Sequence, residues 1–224
     1  MPRLSPSPIP AQIPWGELSL PGTLQLPDDP AGIVLFAHGS GSSRFSPRNE
    51  RIAATLRAAG LGTLLFDLLT EEEDQHDAAT EELRFNIELL ASRLRAAARW
   101  TRAQREAEEL PLGYFGASTG AAAALLAAAE DTETASAIVC RSGRPDLAAD
   151  ALPFIEAPVL LVAGSEDEPV LSANQAAFSR LNARKSLEIV MGATHYFYEP
   201  GALEIVADSA ASWFLTHFTG GDAA

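Results

Sequence analysis

Leu112-Gly113-Tyr114-Phe115-Gly116-Ala117-Ser118-Thr119-Gly120-Ala121-Ala122-Ala123-Ala124 is the stretch on which the reading of this chain turns. Residues 112–117 form an apolar run of strand length, and from Thr119 a run of small residues extends at helix length to Ala129. Between them, Gly116 to Gly120 spell G-x-S-x-G. A serine in that setting sits on a sharp strand-to-helix turn with its hydroxyl exposed, and small flanking residues let the two backbones approach. The bare pattern is weak evidence, and an ordinary glycine-rich turn is the plain alternative. The strand–turn–helix context is what gives it weight.

Working outward, the same alternation continues on both sides. Residues 32–37 read as a buried strand, followed by a loop and a helix over 47–59, with Ser46 at the N-cap and Pro47 at the first helical position. Residues 61–68 predict the next strand, then an acidic loop at Glu71-Glu72-Glu73-Asp74 and a long helical stretch over 81–108. Strands follow over 135–141, 158–163 and 186–190. Helices are expected near 172–181 and over 202–218. Near the N-terminus, residues 13–26 suggest an antiparallel hairpin at the sheet edge, turning around Pro21-Gly22, after a Pro-rich lead-in over residues 1–12. Continuous apolar strands separated by helices predict an α/β fold: a doubly wound, mostly parallel sheet flanked by helices, with ligands at the carboxyl ends of the strands. Residues 13–224 read as a single domain. Too few residues separate the strands 135–141 and 158–163 to hold an inserted lid.

Composition bounds the function. The chain has 224 residues, 47% hydrophobic and 21% charged, as expected of a globular protein. Sixteen Lys+Arg against thirty Asp+Glu give a net charge of −14, which argues against nucleic acid or an anionic membrane as the main partner. The single cysteine, Cys140, excludes an intramolecular disulfide and a cysteine-based zinc site, and its apolar surroundings predict a buried, inert thiol. No run approaches the roughly 18 apolar residues of a membrane span, and the proline-punctuated N-terminus does not read as a signal-peptide core. A cytoplasmic protein is expected, its oligomeric state open and a homodimer included.

A serine hydroxyl needs a base to take its proton and an acid to orient that base. Of the four histidines, His76 lies in a charged stretch and His217 near the C-terminus, both read as solvated; His38 precedes a Gly-rich loop. His195 follows the last strand, at a strand carboxyl end like Ser118, and is the expected base. The acid is sought in Gly164-Ser165-Glu166-Asp167-Glu168-Pro169-Val170, where Asp167 is preferred over its neighbours Glu166 and Glu168. The chain order Ser118, Asp167, His195 is the one known from strand–turn–helix nucleophile folds.

Ala37-His38-Gly39-Ser40-Gly41-Ser42-Ser43-Arg44, Gly113 to Gly120, Gly164 to Val170, and Gly192-Ala193-Thr194-His195 with Glu199-Pro200-Gly201 together resemble the α/β-hydrolase fold, and within it the dienelactone-hydrolase-like family, over about residues 32–218. The sequence departs in one respect: dienelactone hydrolases proper use a cysteine where Ser118 stands, which points toward a serine esterase. The resemblance implies an oxyanion hole formed by the backbone N–H groups of Thr119 and Ser40. Arg44 and Arg144 (with Arg48 and Arg141 nearby) are candidates for a substrate rim, although pairing with the acidic loops is the preferred reading. The expected activity is cleavage of small carboxylic esters or lactones through an acyl-enzyme, with no metal and no cofactor. The alternatives are a thioesterase or acyl-peptidase with the same residues, and a non-catalytic small-ligand binder on a hydrolase scaffold.

Overall fold

The computed structural model describes residues 8–220. One eight-stranded sheet organises them, with strands β1 (Ile9–Trp15), β2 (Leu18–Gln25), β3 (Ile33–Ala37), β4 (Gly62–Phe66), β5 (Leu112–Ala117), β6 (Ala135–Arg141), β7 (Val159–Gly164) and β8 (Lys185–Val190). Their spatial order is β1-β2-β4-β3-β5-β6-β7-β8. Pairing is antiparallel from β1 to β4 and parallel from there to β8. The helices are α1 (Pro47–Ala58), α2 (Glu71–Thr80), α3 (Ile87–Arg102), α4 (Thr119–Glu130), α5 (Glu168–Arg180) and α6 (Ala202–Phe218).

Strand alternation sorts the core into two layers. Leu35, Tyr114, Ile138 and Cys140 face α3, α4 and α5. Val34, Phe36, Phe115 and Val139 face α1 and α6. The central strands β3, β4 and β5 are buried at every position, as a sheet covered on both sides requires. Cys140 is fully buried, and desolvation pushes its thiol up to about 12, so it stays a protonated, unreactive thiol at neutral pH. The link between β6 and β7 holds only two short 3₁₀ turns, Pro145–Ala148 and Leu152–Phe154, so no lid covers the strand ends from there. No helix among the described residues is long and apolar enough to cross a membrane.

Five local expectations are corrected. The hairpin turns at Gly16, whose φ is +59°, and not at Pro21-Gly22, which lies inside β2. Gly22 is required there by crowding, since a Cβ would stand 2.8 Å from the Phe66 Cβ. β1 begins at Ile9, within the segment read as a Pro-rich lead-in; Pro10 and Pro14 are tolerated because β1 is an edge strand. Residues 1–7 of that lead-in lie outside the described residues. The acidic stretch after β4 is not a loop but the first turn of α2. Thr70 caps it, accepting from the Glu73 N–H at 3.2 Å while Glu73 Oε2 accepts from the Thr70 N–H at 2.8 Å, and four acids in the first turn favour the helix dipole. His76 therefore lies on a helix.

The long helical stretch over 81–108 is interrupted. Buried Asp77 accepts from the N–H groups of Leu83 and Arg84 and from Arg84 Nε, which fixes the start of that stretch in a non-helical turn. Glu81 adopts a left-handed conformation, and Asn86 caps α3 through a 3.1 Å bond from the Leu89 N–H. The helix expected near 172–181 starts earlier, at Glu168, with Pro169 in its first turn.

Candidate active site

The turn after β5 is shaped by contact. A Cβ on Gly116 would lie 2.4 Å from the Ala121 Cα, and one on Gly120 would lie 2.1 Å from the Ala37 carbonyl oxygen. Only glycine lets α4 pack this closely behind β5 and against the end of β3. Between them, Ser118 holds φ +53° and ψ −119°, a sparsely populated conformation that costs on the order of 1–3 kcal/mol and must be held by its surroundings. Its N–H donates to the Arg141 carbonyl at 3.2 Å, and its carbonyl accepts from the N–H groups of Arg144 and Ala121, each at 3.1 Å. The Ser118 hydroxyl does not cap α4.

Asp167 and His195 meet directly. The Asp167 Oδ2 and His195 Nδ1 atoms are 2.6 Å apart, with Asp167 at the carboxyl end of β7 and His195 beyond β8. Asp167 occupies the N-cap position of α5 but makes no side-chain cap bond; its carboxylate turns to the imidazole instead. Glu166 and Glu168 are exposed. With Nδ1 committed to Asp167, Nε2 is the nitrogen His195 has left. The two loops are fused at backbone level, since a Cβ on Gly164 would lie 2.1 Å from the Ala193 carbonyl oxygen.

The end of β6 ties the serine turn to the histidine loop. Arg141 accepts the Ser118 N–H through its carbonyl, and the next residue, Ser142, donates its hydroxyl to the His195 carbonyl at 2.9 Å. Ser142 is fully buried with φ +43°. Nothing in the sequence marks it, because its role depends on a partner 53 residues away.

On the other side of Ser118 stands the loop after β3. A Cβ on Gly39 would come 3.0 Å from the Ser118 Cβ, so this loop packs onto the serine turn. The Ser40 and Thr119 hydroxyls are 3.0 Å apart, which brings together the two residues whose N–H groups were expected to face an oxyanion. Thr119 is the first residue of α4, where a helix leaves its N–H without an intrahelical acceptor.

His38 anchors this loop, a role the sequence left unread. Its Nδ1 lies 3.0 Å from the Gly39 carbonyl and its Nε2 accepts the Leu68 N–H at 2.9 Å, which defines a neutral ring joining the ends of β3 and β4. Burial pulls its pKa below the usual histidine value. The unfolded chain therefore binds a proton below about pH 6.5 that the native state resists, so stability falls as pH drops from there toward the lowered native pKa. Half-buried His217 adds in the same direction. His38→Gln is expected to flatten the loss of stability between pH 7.5 and 5.5 in urea unfolding, where one such group contributes at most about 1.4 kcal/mol per pH unit. A variant that keeps the full wild-type slope contradicts the assignment.

Of the rim candidates, Arg44 and Arg144 are occupied. Arg44 donates its N–H to Asp67 Oδ1 at 2.7 Å, and its guanidinium pairs with the same carboxylate. Arg144 grips Asp146 at 2.6 and 2.8 Å. Between the loops after β3 and β4 lies a cleft of about 400 Å³ lined by His38, Ser42, Arg44, Asp67 and Leu69 among others. Among the described residues no cluster of His, Cys, Asp and Glu is arranged to hold a metal.

A family model described as the dienelactone hydrolase family matches residues 20–216. The chain belongs to that family. As a dienelactone hydrolase family member it is similar to a solved dienelactone hydrolase from Anabaena variabilis, with 51% identity and a TM-score of 0.93, covering 96% of this chain and 99% of the other. It is 50% identical over 209 residues to a Mycobacterium tuberculosis protein named "Putative phosphoribosyl transferase", covering 93% of this chain and 46% of the relative. The chain thus spans about half the length of the curated relatives it matches. Est1E from Butyrivibrio proteoclasticus shares the fold at 18% identity and a TM-score of 0.79, over 94% of this chain and 99% of that one. Fold and family give this chain the α/β-hydrolase architecture, and among the described residues no large domain is inserted into it.

Proposed function

We propose that this family member is a serine hydrolase that cleaves small carboxylic esters or lactones through an acyl-enzyme. Ser118 attacks the carbonyl carbon, and His195 Nε2 takes the hydroxyl proton and returns it to the leaving group. Asp167 holds the imidazole in the tautomer with hydrogen on Nδ1 and stabilises its cation. The Ser40 and Thr119 N–H groups bind the oxyanion, each worth about 3–4 kcal/mol of barrier. Water then repeats the sequence on the acyl-enzyme and frees Ser118.

The observation that carries this reading is the 2.6 Å Asp167–His195 contact at the same end of the sheet as Ser118, whose strained turn leaves the hydroxyl out of helix capping. We assign the phosphoribosyl chemistry in the mycobacterial name to the length of those relatives that this chain does not span.

The absence of a lid between β6 and β7 favours short acyl groups. Hydrolysis of p-nitrophenyl esters graded from acetate to palmitate tests this. Turnover is expected to be highest for acetate to butyrate and to fall steeply beyond. A preference for palmitate contradicts the small-acyl reading, and no turnover of any ester favours the binder.

A further inference from the structure

Arg141 and Arg48 stand apart from the other arginines. Arg141 is 5% exposed, yet among the described residues it pairs with no carboxylate; the one hydrogen bond of its side chain runs from Nη1 to the His195 carbonyl at 3.5 Å. Its Nε is buried without an acceptor, as are those of Arg48 and Arg93. Arg48 also lacks a carboxylate there, donating instead to the Tyr198 hydroxyl at 2.6 Å. Its guanidinium lies over the rings of Tyr196 (4.9 Å) and Tyr198 (5.4 Å). What distinguishes Arg93, equally buried, is that its terminal nitrogens grip a carboxylate, Glu73, with two bonds at 2.6 and 2.7 Å.

In a chain of net charge −14, acids are abundant, so two neighbouring cations without one are anomalous. Burial, and after it the Arg48 charge, pull the Arg141 guanidinium down to about 10, so the two cations repel each other. A buried charge left in this state normally has a missing counter-ion. The location says what that ion belongs to. Arg141 touches the His195 backbone, and Tyr196, which carries Arg48 on its face, packs edge-on against the His195 ring at 5.1 Å. One aromatic ring separates the Arg48 guanidinium from the imidazole.

We propose that Arg48, Arg141 and the Tyr198 hydroxyl form an anion subsite beside His195 that receives a phosphate monoester carried by the substrate. Two guanidinium charges match a dianion, and their planar N–H donors suit the oxygens of a phosphate group. A carboxylate would leave one charge uncompensated. The inference rests on the proposed ester hydrolysis for its meaning, but its test does not.

Calorimetric titration with phenyl phosphate and with benzoate reads the subsite directly, in the wild type and in Arg48→Gln. Arg48 is only half-buried and is the variant of choice should Arg141→Gln fail to fold. Phenyl phosphate is expected to bind the wild type more tightly than benzoate and to lose about ten- to a hundredfold in Arg48→Gln, the range for hydrogen bonds to charged groups. A second readout compares kcat/KM for 4-acetoxyphenyl phosphate with that for 4-methylphenyl acetate, a ratio that should fall at least about tenfold in Arg48→Gln. Benzoate binding as tightly as phenyl phosphate, or phenyl phosphate binding that survives the substitution, overturns the proposal. Failure to hydrolyse 4-methylphenyl acetate would strike at the esterase reading alone and leave the calorimetric result to decide the subsite.

Discussion

Ser118→Ala is expected to lower kcat for p-nitrophenyl acetate by about 10⁶, and His195→Ala by about as much. The two groups act as one unit, because the hydroxyl is a nucleophile only while the imidazole takes its proton. The double variant should therefore lose little more than either single one. Asp167→Asn should cost about 10⁴. An amide at that position retains the shape but can donate to Nδ1, which favours the tautomer with hydrogen on Nε2, the wrong one for a base. Residual turnover about 10³–10⁴ above water should persist in all of them, since the Ser40 and Thr119 N–H groups are untouched. Steady-state kinetics on the four variants checks this; multiplicative losses in the double variant would mean the residues do not share one reaction.

Gly120→Ala carries the second large effect, and it acts on the fold. The new methyl would stand 2.1 Å from the Ala37 carbonyl oxygen and 2.5 Å from that of His38, both backbone atoms at the end of β3. No rotamer change relieves such a clash. Either α4 withdraws from β3, which carries Ser118 and the oxyanion loop apart, or the chain does not fold. A loss above about 4 kcal/mol in urea unfolding, or insoluble expression, is expected. Gly41→Ala is the control: it lies in the neighbouring loop after β3 with φ +61° but open space around it, so it should cost only about 1–2 kcal/mol of backbone strain. Equal losses in the two variants would remove packing as the explanation for Gly120.

Much of this was readable from local patterns. The βα units over 112–130 and the closing helix Ala202–Phe218 announce themselves by apolar runs bounded by glycine and proline, and their burial on both faces leaves little competing signal. The misreadings share a cause: a side chain bonding to nearby backbone overrides the periodic pattern. Thr70 and Glu73 turn an apparent acidic loop into a capped helix, and Asp77 breaks what reads as one long helix. The capping box was visible in the sequence as Thr70-Glu71-Glu72-Glu73; the Asp77 clamp was not.

For the candidate site, Ser118, Asp167 and His195 could be named because each stands within a few residues of a strand's carboxyl end, on loops that a parallel sheet gathers at one end. The residues that hold them were illegible for the opposite reason. Ser142, His38 and Gly164 work through contacts with chain segments about 30 or more residues away, such as the Ser142 bond to the His195 carbonyl and the approach of Gly164 to Ala193. The missing charge partner of Arg141 was equally invisible, since only packing reveals that a guanidinium is buried and unpaired.

The central claim is that Ser118 is the nucleophile, and covalent trapping tests it most directly. The full chain would be treated with a fluorophosphonate and examined by intact mass and by peptide mapping, alongside Ser118→Ala. The account predicts a single adduct per chain, on the peptide containing Ser118, and none in the variant. Labelling of the variant to the same extent, or an adduct mapped to another residue of the wild type, would contradict it.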